Sequence, residues 1–491
     1  MKCFVDSRSA RFADVEEIKA GTCPVPYGCR DAKAGGAPVY VDDTDIYMLH
    51  RDVHTLVNGG TGSKKSRLVV MPTVRNLACA GESMVINDPK GEIHKNTVNF
   101  LKEQGYDVIV LNFRHPETGN NWNPLSIVYD YYAMGEIDKS DILLRDVAQA
   151  VFEESKRSAK DKFWPESAKN YFIGLAQVLR AEGRKEDFTI ENICYMDSYG
   201  GQKIGNSTYL REYFSHFKKN VESFRNLQGV VNNDARETKS GILVSFYEPM
   251  AIFSSQNSLC DMMSRSDFDV AAMGDKKTAL FLIVPDDKTT FNAIVSLFVM
   301  QSYQLMVEHA ETNYSGVMPV RVNYILDEFG NLPAITDMAP KMSASRSRNI
   351  RFMLVIQNIG QLRAAYGKDT TETIISNCGA WYCLYTKDLT MLEHISHLCG
   401  QVVGGYTGTV FPLLSVAQLQ TLDKDLGEVL TLLEGKHPFV TYLPDISAYG
   451  IDMACAPGDL PRRKLKMRPH FDIRKVVREA ACQTLTANVQ E

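Results

Sequence analysis

Residues 54–72 read HTLVNGGTGSKKSRLVVMP. A short apolar run, a Gly-rich turn, a Lys-Ser pair and a second apolar run follow the order strand, phosphate-binding loop, helix. Gly59, Gly60 and Gly62 let the backbone curl around phosphate, and the N–H groups of Gly59, Gly60, Thr61, Gly62, Ser63, Lys64, Lys65 and Ser66 are its candidate donors. Lys65 can reach the β- and γ-phosphates of ATP, and Ser66 can ligate Mg2+ at the start of the helix. The pattern G-x-x-x-x-G-K-[ST] asks for glycine where Lys64 stands. A side chain there carries a backbone penalty of order 1 kcal/mol, so the expectation is weakened rather than abolished ATP binding. Taken alone, the stretch also fits a Gly-rich surface turn.

Outward from this loop, short β-branched and apolar runs recur: SMVIND, DVIVLNF, ALFLIVP, VNYILDE, RFMLVIQ, AWYCLYT and PFVTYL. Longer polar or helix-patterned segments separate most of them, which predicts crossover connections and a mainly parallel sheet covered on both faces. The rhythm stops between 139 and 235. There Trp164, Ala168, Tyr171, Phe172, Leu175 and Leu179 repeat at spacings of three and four, the stripe of an amphipathic helix. The predicted class is therefore α/β with an inserted all-α domain. The expected boundaries are an irregular segment over 1–50, the nucleotide-binding domain over 51–138 and 236–455, the all-α insertion over 139–235 and a basic tail over 456–491.

At 491 residues the chain exceeds what one hydrophobic core organises. With 44% hydrophobic and 23% charged residues it is neither disordered nor fibrous, and a net charge of −5 carries no global signal for nucleic acid. A polyanion would have to be met locally. The eight Lys and Arg residues between Arg462 and Arg478 are either a solvated tail or such a local patch. The 11 cysteines lack Cys-x-x-Cys spacing, which argues for reduced thiols and against a structural metal. No run of 18 apolar residues occurs, and the first residues lack a signal-peptide apolar segment.

VNYILDEFGN carries Asp327 and Glu328 at the carboxyl end of an apolar strand, where α/β sites assemble. Buried acids need a positive partner. Asp327 is the candidate magnesium partner and Glu328 the candidate base for an attacking water; the bland alternative is an acidic pair capping the next helix. RFMLVIQN ends in Gln357, whose amide could bond a γ-phosphate or the attacking water, or could be a plain polar strand end. SMVINDPKGE reads as a strand and a turn. SASRSRNIR offers Arg346, Arg348 and Arg351 as solvated charges or as cations for a neighbour's phosphates.

The order GGTGSKKS, VINDPKGE, VLNFRHPETGNNWNPL, KFWPESAKNYF, LCDMMSRSDFD, ALFLIVPDD, YILDEFGNLP, SRSRNIRFMLVIQNIGQL, TIISNCGAWYCLYTKD resembles the TraG-like conjugative coupling proteins of type IV secretion systems over roughly residues 10–450. The resemblance implies a RecA/FtsK-like P-loop ATPase that uses ATP and Mg2+. It puts Lys65 and Ser66 in the Walker A motif, Asp327 and Glu328 in Walker B, Gln357 in the glutamine motif and Arg346 or Arg348 as arginine finger. It implies as partners a relaxase–DNA complex or secreted proteins, DNA and the secretion channel. It further implies a homo-hexamer on the cytoplasmic side of the cell membrane. SRSARFADVEEIKAG resembles the segment that follows the family's membrane helices, so the anchor is expected to be absent and the chain to be a monomer or weak oligomer. Lys64 keeps open a hydrolysis-impaired adaptor, and the chemistry would equally serve an FtsK-like DNA translocase.

Overall fold

The computed structural model describes residues 10–217, 221–232, 235–285, 291–403, 409–450, 460–466 and 470–489. The chain divides into two compact units. The first takes residues up to Val110, Asp269–Asn292 and Ser302–Leu460. Leu111–Phe268, Ala293–Gln301 and Pro461–Glu491 form the second.

After a short helix at Val15–Lys19, the first unit forms three antiparallel strands, β1 (Cys23–Pro26), β2 (Pro38–Val41) and β3 (Asp45–Met48), in the order β1-β3-β2. This corrects the reading of the segment as irregular. Pro24, Pro26 and Pro38 lie within these strands, and prolines of a short sheet with two edges read in a sequence like turns. The strands of the central sheet then follow: β4 (Thr55–Asn58), β5 (Ser83–Asp88) and β6 (Asp107–Asn112). The small pair β7 (Lys203–Ile204) and β8 (Ser207–Thr208) belongs to the second unit. The sheet resumes with β9 (Thr278–Ile283), β10 (Val322–Leu326), β11 (Ile350–Ile356) and β12 (Ala380–Cys383). A hairpin of β13 (Gln401–Val403) and β14 (Val410–Pro412) precedes the last two, β15 (Glu428–Leu433) and β16 (Phe439–Tyr442).

The nine-stranded order is β16-β15-β12-β4-β11-β10-β5-β9-β6. From β12 to β9 every pairing is parallel, whereas β12-β15 and β15-β16 are antiparallel. The mainly parallel α/β sheet expected from the sequence is the one observed. Strands β4, β5, β9, β10, β11 and β12 are buried at every position, as a parallel sheet covered on both faces requires. After β4 the chain enters a helix at Ser66. Its first turn, Ser66–Val70, is a π turn and Met71–Ala80 is α-helical. Pro72 has no N–H to donate, so the regular ladder is interrupted where the two windings meet.

The second unit is helical, with its longest members at Ile137–Ser158, Phe163–Glu182 and Arg236–Ser255. The stripe foreseen from Trp164 to Leu179 lies on the second of these; its Tyr171 and Phe172 are fully buried, as are Phe152 on the first helix and Phe246 on the third. Trp164 packs onto Gly241, where even a methyl group would meet the indole at 2.4 Å. Asp197 is buried and accepts from the hydroxyls of Tyr171 (2.7 Å) and Tyr247 (2.9 Å), which compensate its lost hydration.

Three of the C-terminal basic residues are committed within this unit, so they are no solvated tail. Arg463 donates to the carbonyls of Pro116, Thr118, Gly119 and Asn120. Arg474 pairs with Asp472 at 2.8 Å and lies over the ring of Tyr199, and Arg478 donates to the Tyr209 hydroxyl. Apart from Asp472, the partners lie more than 250 residues away, so local composition cannot reveal them. Among the described residues no helix is long and apolar enough to cross a membrane.

Candidate nucleotide site

The loop after β4 is shaped by close backbone approach. A methyl group on Gly59 would come within 2.5 Å of Ser63 Oγ and 3.0 Å of Leu384 Cβ. Its N–H donates to Ile356, and that of Gly60 to Tyr385, tying the loop to β11 and to the chain after β12. Gly62 has φ +73° and Lys64 φ +65°. Left-handed residues alternating with right-handed ones turn successive N–H groups inward as an anion nest. Of the N–H groups from Thr61 to Ser66, that of Ser63 donates to Gly60, and the other five make no hydrogen bond among the described residues.

Lys64 therefore adopts the backbone conformation that glycine would supply, at a strain of about 1–2 kcal/mol. That strain belongs to the folded chain before any ligand arrives. The Lys64 ammonium pairs with Asp425 at 3.1 Å, with both side chains substantially exposed.

Lys65 is 7% exposed and its ammonium donates to the carbonyls of Gly59 (2.6 Å) and Gly60 (3.2 Å). Burial lowers its pKa, against the pull of Glu328 and Asp327. The Ser66 hydroxyl donates to Asp327 Oδ2 at 3.4 Å, across 261 residues of sequence. The sheet makes this possible, since β10 lies two strands from β4 and both point their carboxyl ends at the same cleft.

Asp327 is held by Asn87, whose amide donates to its carbonyl at 2.6 Å, and its own Oδ1 accepts from the Glu328 N–H. Burial, then the neighbouring Glu328 and Asp88, push its pKa up to about 7. Asp88 is raised to about 6 for the same first reason. Glu328 sits at φ +53°, a second strained position in the cleft. Both its carboxylate oxygens accept from the Gln357 amide, at 2.9 and 2.8 Å, and Asn331 adds a longer contact at 3.4 Å. Gln357 in turn accepts from the Thr61 hydroxyl at 3.1 Å. One side chain thus bridges the phosphate loop and the strand-end acid.

The loop from Thr61 to Ser66, with Asn87, Glu328, Asn331 and Gln357, lines a cleft of about 390 Å³, and Asp327 reaches its edge through the Ser66 hydroxyl. Two hard oxygen donors 3.4 Å apart, beside a nest of free N–H groups, fit a magnesium ion that keeps most of its water. Asn87 Oδ1, buried and without a partner in the same cleft, is a ready acceptor for such a water.

The candidate cations separate. Arg351 is buried in an ion pair with Glu82 at 2.5 Å and also donates to Asn323, so it is structural. Arg348 pairs with Glu311 at 3.0 Å and donates to the Ala344 carbonyl. Arg346 is exposed, makes no such pair among the described residues, and lines a different cavity of about 540 Å³ with Trp381 and His394. It precedes β11, whereas the nucleotide cleft opens at the far end of that strand. Seven residues of strand put about 20 Å between them. Asn87, Asn331 and the Thr61–Gln357 bridge were not foreseen. The run VINDPKGE flags only a strand end, and nothing local shows that β5 lies beside β10.

Residues 15–404 match the family described as "Type IV secretory system Conjugative DNA transfer". The chain belongs to this family. A probable conjugal transfer protein TraG of Sinorhizobium fredii is 23% identical over 355 residues, covering 71% of this chain and 52% of that protein. The type IV secretion system-coupling protein VirD4 of Bartonella quintana is 24% identical over 408 residues, with 79% and 59% covered. The chain thus spans about half the length of these curated relatives. The plasmid coupling protein TrwB, solved in complex with the ATP analogue ADPNP, superposes with a TM-score of 0.65 at 16% identity, covering 94% of this family member and 97% of TrwB. TrwB in complex with ADP and Mg2+ gives 0.63 at 16%, with 89% and 94% covered. At such identity the likeness is one of fold, and it agrees with the RecA-like α/β class.

Proposed function

We propose that this chain is the motor ATPase of a type IV secretion coupling protein, recruiting relaxase–DNA complexes or protein cargo to a secretion channel and driving transfer by ATP hydrolysis. One observation carries the reading: the Ser66 hydroxyl and the Asp327 carboxylate meet at 3.4 Å beside the unpaired N–H groups of the loop. The named relatives and the nucleotide-bound TrwB structures support it.

In this reading the loop N–H groups and Lys65, exchanging the Gly59 and Gly60 carbonyls for phosphate oxygens, hold the triphosphate. Ser66 and Asp327 would hold Mg2+, which would supply charge neutralisation when bound. Binding of the cation also favours the ionised form of Asp327, which burial otherwise disfavours. Glu328 accepts the proton of the water that attacks the γ-phosphorus while the bond to the β–γ bridging oxygen breaks, leaving ADP and phosphate. For that, Gln357 must release at least one Glu328 oxygen. Gln357 touches both the loop and the base, so it is suited to couple occupancy of the loop to freeing of the base. Arg346, unpaired among the described residues and remote from its own cleft, acts on a neighbour's phosphate in a homo-hexamer; Arg348, already paired, is the second candidate.

Assembly at the cytoplasmic face of the membrane, DNA and the channel components as partners belong to the same proposal. A second reading, a hydrolysis-impaired adaptor, is favoured by one observation: both oxygens of Glu328 are engaged by Gln357. An FtsK-like translocase would share the whole site and differ in its partners. The test is release of phosphate from MgATP by the purified chain, with and without single- or double-stranded DNA, beside Glu328→Gln. DNA-stimulated turnover lost in the variant is expected; nucleotide binding with no turnover under any condition selects the adaptor.

A further inference from the structure

Four cationic side chains line the nucleotide cleft: Lys64, Lys65, Arg67 and Lys90. Three have partners. Lys64 pairs with Asp425, Arg67 with Asp445, and Lys65 donates to loop carbonyls. Lys90 alone among the four makes no hydrogen bond or ion pair among the described residues, and it is exposed to the cleft.

Its mounting is rigid. Asp88 before it is 1% exposed and accepts the His94 N–H at 2.8 Å, while the Gly91 N–H donates back to the Asp88 carbonyl at 3.1 Å. Pro89 locks φ on one side, and Gly91 takes the left-handed turn (φ +72°) on the other. In the parallel register Asn87 pairs with Leu326, so Lys90 lies just beyond the end of β5, beside the end of β10 that presents Asp327 and Glu328. In the sheet order β4-β11-β10-β5 it stands across the acidic pair from the phosphate loop. Asn87, 1% exposed with an unpartnered Oδ1 among the described residues, lines the same cleft. The charge of Lys90 also opposes protonation of Lys65, which brings the two ammonium groups into one electrostatic field.

We infer that Lys90 is the cleft's sensor of the terminal phosphate, a cation that distinguishes a nucleoside triphosphate from a diphosphate. The inference rests on the nucleotide reading above. A phosphate chain anchored by its inner phosphates on the loop extends toward Asp327 and Glu328, where its last phosphate adds negative charge beside two acids. A lysine with no partner among the described residues, on the far side, offsets that charge. Its side chain is exposed, so a substitution leaves the core intact.

The test is equilibrium binding of ADPNP and of ADP, each with Mg2+, to the full chain and to Lys90→Gln, Lys90→Arg and Lys65→Ala. Lys90→Gln is expected to weaken ADPNP about tenfold, the worth of one charge-assisted hydrogen bond, and to leave ADP within about twofold. Lys90→Arg restores most of the preference, and Lys65→Ala weakens both nucleotides. Equal loss of both nucleotides in Lys90→Gln, or loss of neither, overturns the assignment while leaving the nucleotide site standing. Failure of the unsubstituted chain to bind either nucleotide overturns both.

Discussion

Replacing Lys64 by glycine asks where the strain of the phosphate loop resides. Lys64 already sits at φ +65°. For an L-residue that conformation is worth about 1–2 kcal/mol of strain, which glycine removes. Against this, glycine loses about 0.5–1 kcal/mol more backbone entropy on folding. The exposed Lys64–Asp425 pair at 3.1 Å contributes about 0.5 kcal/mol or less. The balance is a gain of roughly 0.5 kcal/mol, within about 1 kcal/mol either way. Nucleotide affinity responds differently. The loop conformation precedes binding, so relief of strain appears in folding free energy and cancels from the binding equilibrium. What changes there is the loss of one screened positive charge, which should lower ADPNP affinity by no more than about threefold. Urea denaturation measures the first quantity and titration calorimetry with ADPNP and Mg2+ the second. A rise in affinity of about tenfold or more in Lys64→Gly would refute the reasoning, because it would mean that the lysine holds the loop away from its binding conformation.

Asp327→Asn should stabilise the nucleotide-free chain at pH 8 while abolishing Mg2+-dependent nucleotide binding. Asp327 has its folded pKa raised to about 7, so its contribution is fully present below the unfolded pKa of about 4 and is lost as pH rises toward 7, up to about 4 kcal/mol at 1.36 per unit. His54 and His94 have the opposite sign: burial depresses both to about 4, so their contribution is present above about 6.5 and is lost on acidification. In the unsubstituted chain these slopes oppose each other between pH 4.5 and 7. The variant should lose stability on acidification more steeply, and parallel urea midpoints for the two proteins would contradict the assignment. Gln357→Ala breaks the bridge from Thr61 to Glu328; ADPNP affinity should stay within about threefold while DNA-stimulated hydrolysis falls about tenfold or more, and equal stimulation in both proteins would remove Gln357 from the mechanism. Arg346→Ala should keep fold and nucleotide affinity yet lower hydrolysis about a hundredfold or more in the assembled state, whereas Arg348→Ala should chiefly lower stability, by about 1 kcal/mol or less for its partly exposed pair with Glu311. The reverse ranking in turnover would exchange their roles.

The sequence by itself determined the elements that depend on neighbouring residues. HTLVN, VNYIL and RFMLVIQ announce strands because buried parallel strands are continuous apolar runs, and GGTGSKKS announces its loop because only certain residues allow that turn. The amphipathic stripe around Trp164 announced a helix on the same ground. Tertiary structure decided everything that needs to know which strands are neighbours. The meeting of Ser66 with Asp327, the Gln357 clasp on Glu328, and the presence of Lys90 in the cleft follow from the order β4-β11-β10-β5, which no local pattern encodes. The three arginines near β11 look alike in sequence; only packing buries Arg351 on Glu82, ties Arg348 to Glu311 and leaves Arg346 without a partner among the described residues. Even Lys64, an apparent defect on paper, keeps the left-handed geometry of glycine, because the cooperative fold around the loop outweighs a strain of about 1–2 kcal/mol at one residue.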